Sequence, residues 1–330
     1  MGMGAMTKLK IEANPIIGTY QSYALPLSAL LANKPDVLYF VLNNFTQLTY
    51  RKEKNIPFNF FYPSFDSWTC VDIHDIIRGD YAKHWSLSVV DCVKRSIDNG
   101  GYVYSMVDEY YVPHRNTYQR SHFIHDILIY GYDEHTLCAL GYDEHGHYVE
   151  TTLSDKEFDD AFHAVQPGRY TVFFSYASYN QYHFEPEFNL QMIRDYVESK
   201  PTSWIVPFTA VHREGAWGME AVLGMLEHSK QTIMEGKKLD IRFFNLYLEH
   251  KKLMDLRIRL LLEVWNRKDF VDYTHIYEDA VTMKNLAIKA NVMRSASAFD
   301  KIEKMLRKNL SEEREILNAV LAMGGSPNGL

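Results

Sequence analysis

Ser121-His122-Phe123-Ile124-His125-Asp126-Ile127-Leu128-Ile129-Tyr130-Gly131-Tyr132-Asp133, followed by Ala139-Leu140-Gly141-Tyr142-Asp143, is the stretch on which the fold turns. Two short apolar runs separated by Asp133, Glu134 and His135 read as an antiparallel hairpin over Ile124 to Tyr132 and Thr136 to Tyr142. Similar runs at Tyr102 to Val107, Tyr148 to Leu153 and Tyr170 to Tyr176 extend the hairpin into a meander, interrupted by a short helix that Ser154, Asp155 and Glu157 open and that ends near Ala164.

Upstream of the meander the pattern is helical. Leu25, Leu27, Leu30 and Leu31 predict a buried helix from Ser22 to Asn33, and Pro26 requires it to start within a few residues of Ser22, because proline is tolerated only near a helix start. Cys70 to Ile77 and Trp85 to Asp98 read as helices, the second closed by Asn99, Gly100 and Gly101. Val37 to Leu48 and Ile56 to Tyr62 read as strands.

Beyond about Phe184 long helical patterns take over: Phe188 to Glu198, Gly218 to Glu235, Ile241 to Asn266, Tyr277 to Ala298, and Ser311 to Met323 with Ser311 as its N-cap. Pro201 and Pro207 fall in the connection between the first two. The expected architecture is α+β, with a helix-plus-antiparallel-sheet domain over residues 1–184 and a helical domain over 185–330. In the helices over 241–266 and 277–298, apolar residues such as Phe243, Leu246, Leu253, Met283 and Leu286 predict a packed bundle.

Composition narrows the function classes. With 46% hydrophobic and 23% charged residues, the 330-residue chain has the makeup of a folded protein long enough for two domains. A net charge of -7 and the lack of a long Lys/Arg run argue against nucleic acid as partner. No apolar run approaches the roughly 20 residues of a membrane helix. Met1 to Lys10 lacks the basic start and apolar core of a secretory signal, and Met6 stands where a myristoylation motif wants Ser or Thr, so a cytoplasmic setting is expected. Cys70, Cys92 and Cys138 have no C-x-x-C spacing, which predicts neither a zinc site nor a disulfide framework.

The hairpin also carries chemistry. His125 opens an apolar strand and Asp143 closes the next one, 143 − 125 = 18 residues on, which is room for one hairpin to set an imidazole beside an orienting carboxylate. Asp126 points to the opposite strand face and is not the expected orienter. The competing reading is plain: a histidine at a strand start is most often polar filling, and an Asp after Gly-Tyr is most often a turn former. Neither His114, His122 and His125 nor His135, Glu144, His145 and His147 has metal-ligand spacing, so no metal is expected.

The run Gly101 to Pro113, then His125 to Asp133, then Gly141-Tyr142-Asp143, resembles the papain-like domain of the butirosin biosynthesis protein H family. The resemblance extends through Gln21 to Leu31 and, less specifically, over Trp217 to Leu262. It implies a papain-like fold used for acyl transfer in natural-product biosynthesis, from a carrier-protein thioester to a small-molecule amine or peptide acceptor. The partner would be an acyl or peptidyl carrier protein whose phosphopantetheine arm is part of the substrate, with no separate cofactor. His125 then takes the general-base position and Asp143 the orienting carboxylate of a catalytic triad.

The family's nucleophilic cysteine sits at the start of the first buried helix, and the alignment puts Ser22 there. Ser22 is an attacking serine or a helix N-cap in a domain that has lost catalysis. Cys70, which precedes His125 in the papain-like order, is the rival nucleophile, and Thr19 is a third candidate if the alignment slips by a turn. The resemblance also admits Glu249, His250, Lys251 and Arg257 as substrate-binding residues. Two functions therefore stand: an acyltransferase or thioesterase-like enzyme, and a catalytically degenerate papain-like domain that binds a carrier-protein-linked or peptide ligand.

Overall fold

The computed structural model describes residues 6–62, 65–144, 146–165, 169–178, 180–202, 215–267, 271–293 and 296–324, so Pro207 and His145 lie outside the described residues. In chain order the elements are β1 (Thr7–Lys8), α1 (Gln21–Leu31), α2 (Val37–Asn44), β2 (Leu48–Tyr50), β3 (Phe58–Phe60), β4 (Val71–Arg78), α3 (Gly79–His84), α4 (Val89–Asp98), β5 (Tyr102–Asp108), β6 (Ile124–Tyr132), β7 (Thr136–Tyr142), β8 (Tyr148–Ser154), α5 (Asp155–His163), β9 (Tyr170–Tyr176), α6 (Pro186–Val197), β10 (Ala216–Trp217), α7 (Gly218–Met234), α8 (Ile241–Val264), α9 (Thr274–Met293) and α10 (Ala296–Gly324). The fold is α+β with a helical C-terminal part. It divides into two compact units, Met1–Leu38 with Pro63–Tyr182, and Tyr39–Tyr62 with His183–Leu330. The stretch 39–62, expected within a first domain of residues 1–184, belongs to the second unit.

The first unit is built on a seven-stranded antiparallel sheet in the order β4-β9-β5-β6-β7-β8, with β1 added on β6. Strand β6 is buried on both faces because its run Ile127-Leu128-Ile129 is apolar without alternation. Ile127 and Ile129 join Val103, Val107, Leu137 and Ala139 in a core closed by Val93 and Ile97 of α4 and Phe158 and Phe162 of α5. Helix α1 packs against β5, β6, β7 and β9. A capping box starts α5, with Ser154 Oγ accepting from Glu157 N at 3.2 Å and Glu157 Oε2 accepting from Ser154 N at 2.7 Å.

Four local readings change. Val37 to Leu48 is not one strand: its first part is helix α2, since an all-apolar run has no period of its own, and Asn44 Nδ2 donates to Phe40 O at 2.8 Å near the helix end. Cys70 to Ile77 is not a helix: Val-Asp-Ile-His-Asp-Ile-Ile-Arg forms edge strand β4, where pairing with β9 from Val71 to Arg78 outweighs weak local propensity. Helix α4 begins only at Val89, where Ser88 Oγ accepts from Asp91 N. Ser311 is no cap, because α10 runs through it from Ala296 to Gly324.

In the second unit α6 to α10 accompany a small sheet in the order β10-β2-β3. His250, Lys251 and Arg257 are fully buried, so they face protein and not the solvent that a substrate would approach from. His250 Nε2 donates to Thr46 O at 2.9 Å, which places its proton on Nε2, and Nδ1 accepts from Lys251 Nζ at 3.3 Å. Burial first, then the charges of Lys251 and Arg257, hold this imidazole well below its ordinary 6.5. A folded-state value below the unfolded one means that the unfolded chain binds the extra proton. Stability is therefore complete above pH 6.5 and falls as the pH drops below it, by up to about 1.4 kcal/mol per pH unit. In His250→Gln, urea midpoints measured across that window should slope less steeply than in the wild type; equal slopes would assign the acid sensitivity to other groups.

Candidate functional site

Strand β5 ends in Asp108, with Glu109 directly after it, and both carboxylates reach forward to the residues at the opening of β6. Asp108 is buried and saturated: Oδ1 accepts from Tyr110 N and Phe123 N, each at 3.1 Å, and Oδ2 accepts from His122 Nδ1 at 2.6 Å. Glu109 N donates to Phe123 O at 2.9 Å, which ties the two ends of the excursion 109–123 together. The His122 ring stacks on Tyr110, with centroids 4.6 Å apart and planes 22° from parallel.

His125, the second residue of β6, pairs with Val107. Its Nδ1 lies 3.0 Å from Glu109 Oε1 and 3.4 Å from Gln21 Nε2, and its Nε2 lies 3.6 Å from Asp126 Oδ1. The carboxylate bond is shorter and charge-assisted, so Nδ1 carries the proton and donates to Glu109, while the Gln21 amide is only a close neighbour. Asp126 is held from its other oxygen by the Tyr104 hydroxyl at 2.5 Å. Gln21 is the first residue of α1, a helix that no side chain caps, and is 3% exposed. The His125 side chain keeps 35% of its surface, so this imidazole is the part of the cluster that an incoming molecule meets.

Of the residues expected to act together, the structure brings together only part. Asp143 is not a hydrogen-bond partner of His125. Its Oδ1 accepts from His147 N at 2.7 Å and its Oδ2 is 3.3 Å from His147 Nδ1. The hairpin register itself is as the spacing implies: Leu128 pairs with Leu140, and 128 + 140 = 125 + 143. The ladder stops there, three residues short. The Arg115 guanidinium lies over the face of Gly141, in the space that a side chain there would fill. The carboxylate hydrogen-bonded to His125 is Glu109.

Among the described residues no serine or cysteine hydroxyl or thiol is hydrogen-bonded to His125. Ser22, the second residue of α1, is half-buried, and the helix head beside the imidazole is occupied by Gln21. Thr19 precedes the helix, buried, and its hydroxyl has no hydrogen-bond partner. Cys70 is fully buried, in a turn before β4 and not at a helix start, and burial pushes its thiol up to about 12, which removes the thiolate that attack needs. Burial likewise raises Cys138 within β7 and Cys92 within α4. Cys92 lines a hollow of about 390 Å³ with His74, Asp75 and Arg95.

Among the described residues no group of three or more His, Cys, Asp or Glu side chains is arranged to hold a metal ion. Asp143 lines a separate hollow of about 470 Å³ with Lys8, His114, Tyr130, Glu144 and Glu150. Sequence reasoning missed Gln21, Glu109 and Arg115. The one available signal was the pair Asp108-Glu109 ending an apolar strand, since adjacent carboxylates at that position need partners. No family model matches the chain, and no curated protein matches it.

Proposed function

We propose that this chain is a catalytically degenerate papain-like protein that binds a carrier-protein-linked or peptide ligand beside His125. The observation that carries the reading is Gln21. A carboxamide stands at the head of α1 facing the imidazole, where an acyl-enzyme mechanism needs a hydroxyl or thiol within reach of the base. A carboxamide has no ionisable proton to give up and forms no acyl intermediate, whereas it hydrogen-bonds amide-rich ligands well. The phosphopantetheine arm would be part of the ligand, with no cofactor of the protein's own. Among the described residues no helix is long and apolar enough to cross a membrane. In this reading the protein is cytoplasmic and its partner is an acyl or peptidyl carrier protein.

The second reading, an acyltransferase or thioesterase-like enzyme, draws on Ser22, half-buried and adjacent to Gln21, with His125 as base and Glu109 in the place expected of Asp143. Intact-mass spectrometry after incubation with an acyl-pantetheine thioester separates the two. The wild type should show no adduct, while calorimetry with the same thioester or with a loaded carrier protein should show binding. Gln21→Cys, which puts a thiol at a helix N-terminus beside an imidazole, should become acylated. A wild-type adduct that Ser22→Ala abolishes would establish the enzyme reading instead.

A further inference from the structure

Arg115 is the charged residue at the site that no hydrogen bond explains. It is 3% exposed, and among the described residues none of its guanidinium nitrogens has a hydrogen-bond partner. Such burial is costly for a cation unless carboxylates compensate it. Its nearest one is Glu109, whose Oε1 lies 3.8 Å from Arg115 Nε and 3.0 Å from His125 Nδ1. One carboxylate oxygen thus faces both cation and imidazole, while the other, Oε2, accepts from Thr117 Oγ1 at 3.2 Å. The guanidinium is seated on the bare backbone of Gly141, where any side chain would collide with it.

We propose that Arg115, seated on Gly141, is a positioning residue that keeps Glu109 turned toward His125 and thereby fixes which imidazole nitrogen carries the proton. This rests on the reading of His125 as the functional imidazole, and it gives the Gly-Tyr-Asp motif a physical role: the glycine is the floor of an arginine slot. The groups facing the imidazole and the guanidinium are Gln21 from α1, Glu109 after β5, Asp126 and Tyr104 from β6 and β5, Asp143 after β7 and Tyr148 from β8. The carboxylates Glu109, Asp126 and Asp143 all lie within the electrostatic reach of Arg115, which is the only cation among these partners. Without it three buried or half-buried carboxylates repel one another, and Glu109, whose Oε1 faces both Arg115 and His125, keeps only the Thr117 hydroxyl to hold its orientation. His125 Nδ1 then loses its acceptor, and nothing holds the proton on that nitrogen.

The test is nitrogen-15 spectroscopy of histidine-labelled protein in buffer alkaline enough to keep the ring neutral, with the His125 signals assigned from His125→Gln. The wild type should show the Nδ1–H form alone. Arg115→Met and Gly141→Ala should each shift about half of that signal to the Nε2–H form, whereas Arg115→Lys, which keeps the charge, should retain it. Gly141→Ala leaves every group that touches His125 in place, and the nearest atoms its Cβ meets are those of Arg115; should Arg115→Met fail to fold, Gly141→Ala decides alone. A wild-type spectrum in folded Gly141→Ala, or an Nε2–H ring in the wild type itself, overturns the assignment. Acylation and ligand binding do not enter this measurement, so the functional reading and the positioning role fail separately.

Discussion

Glu313→Ala should destabilise the second unit by about 3–5 kcal/mol, the range for stripping one partner from a buried ion pair. Glu313 and Lys251 are both fully buried, with Lys251 Nζ 2.7 Å and 2.6 Å from the two carboxylate oxygens. The remaining lone pairs are met by hydroxyls: Tyr196 donates to Oε2 at 3.1 Å and Tyr273 to Oε1. Lys251 also donates to the Tyr196 hydroxyl at 2.9 Å and lies 4.3 Å from the Tyr247 ring centroid. Burial alone would lower the ammonium, and the facing carboxylate opposes that. Removing Glu313 leaves an ammonium and two phenols in a dry interior, which is why the cost should far exceed that of any surface pair in this protein. Urea unfolding followed by the fluorescence of Trp217 and Trp265 reads it directly. A loss under about 1 kcal/mol would mean that water reaches the cluster. The double variant Lys251→Met, Glu313→Leu should recover most of the loss, because an apolar pair of similar volume has no desolvation to offset.

Arg257→Leu should cost about 3 kcal/mol or more, through a different mechanism. This guanidinium closes the end of α2: Nη2 donates to Leu42 O at 2.6 Å and Phe45 O at 3.3 Å, and Nε donates to Asn189 Oδ1 at 2.8 Å. Burial brings its pKa down to about 9, which still leaves it charged at neutral pH. A cation at a helix C-terminus is favourable, and a buried carbonyl that loses a donor pays its desolvation. Leucine fills the volume and takes that donor away. Hydrogen exchange should then accelerate over residues 39–50 ahead of α8; uniform acceleration would contradict a local capping role.

The sheet was the most legible part of the molecule. β6, β7 and β9 begin and end where the apolar runs do, because a buried strand needs uninterrupted apolar residues and a turn at each end. α2 and β4 were misread for a shared reason. Val37 to Asn44 and Val71 to Arg78 are short enough for either period, and what selects the conformation is tertiary pairing. His125 was found because a histidine opening an apolar strand is conspicuous. Its surroundings were not, since Glu109 reaches it across a strand pair, Gln21 stands beside it from 104 residues away, and Arg115 faces Glu109 from a seat over a glycine. Linear spacing carried the hairpin register for Asp143 correctly, but the β6–β7 ladder ends at Leu128 and Leu140, three residues before His125 and Asp143, and the carboxylate hydrogen-bonded to His125 is Glu109.

The division of the chain into residues 1–38 with 63–182, and 39–62 with 183–330, also sets an order of events on the ribosome. Phe45, Leu48, Phe58 and Phe60 are among the most deeply buried apolar side chains, and they leave the exit tunnel long before α6, α7 and α8 have been translated. At roughly 5–20 residues per second, the delay between residue 60 and residue 261 is about 10–40 seconds. For that interval the nascent chain carries an aromatic segment whose partners in its own unit have not yet been made. The waiting segment is where a nascent-chain chaperone would bind, and neither unit can be cut out as a contiguous clone: a fragment starting at residue 183 would leave Arg257 and His250 without the carbonyls of Leu42, Phe45 and Thr46 that they were built to reach.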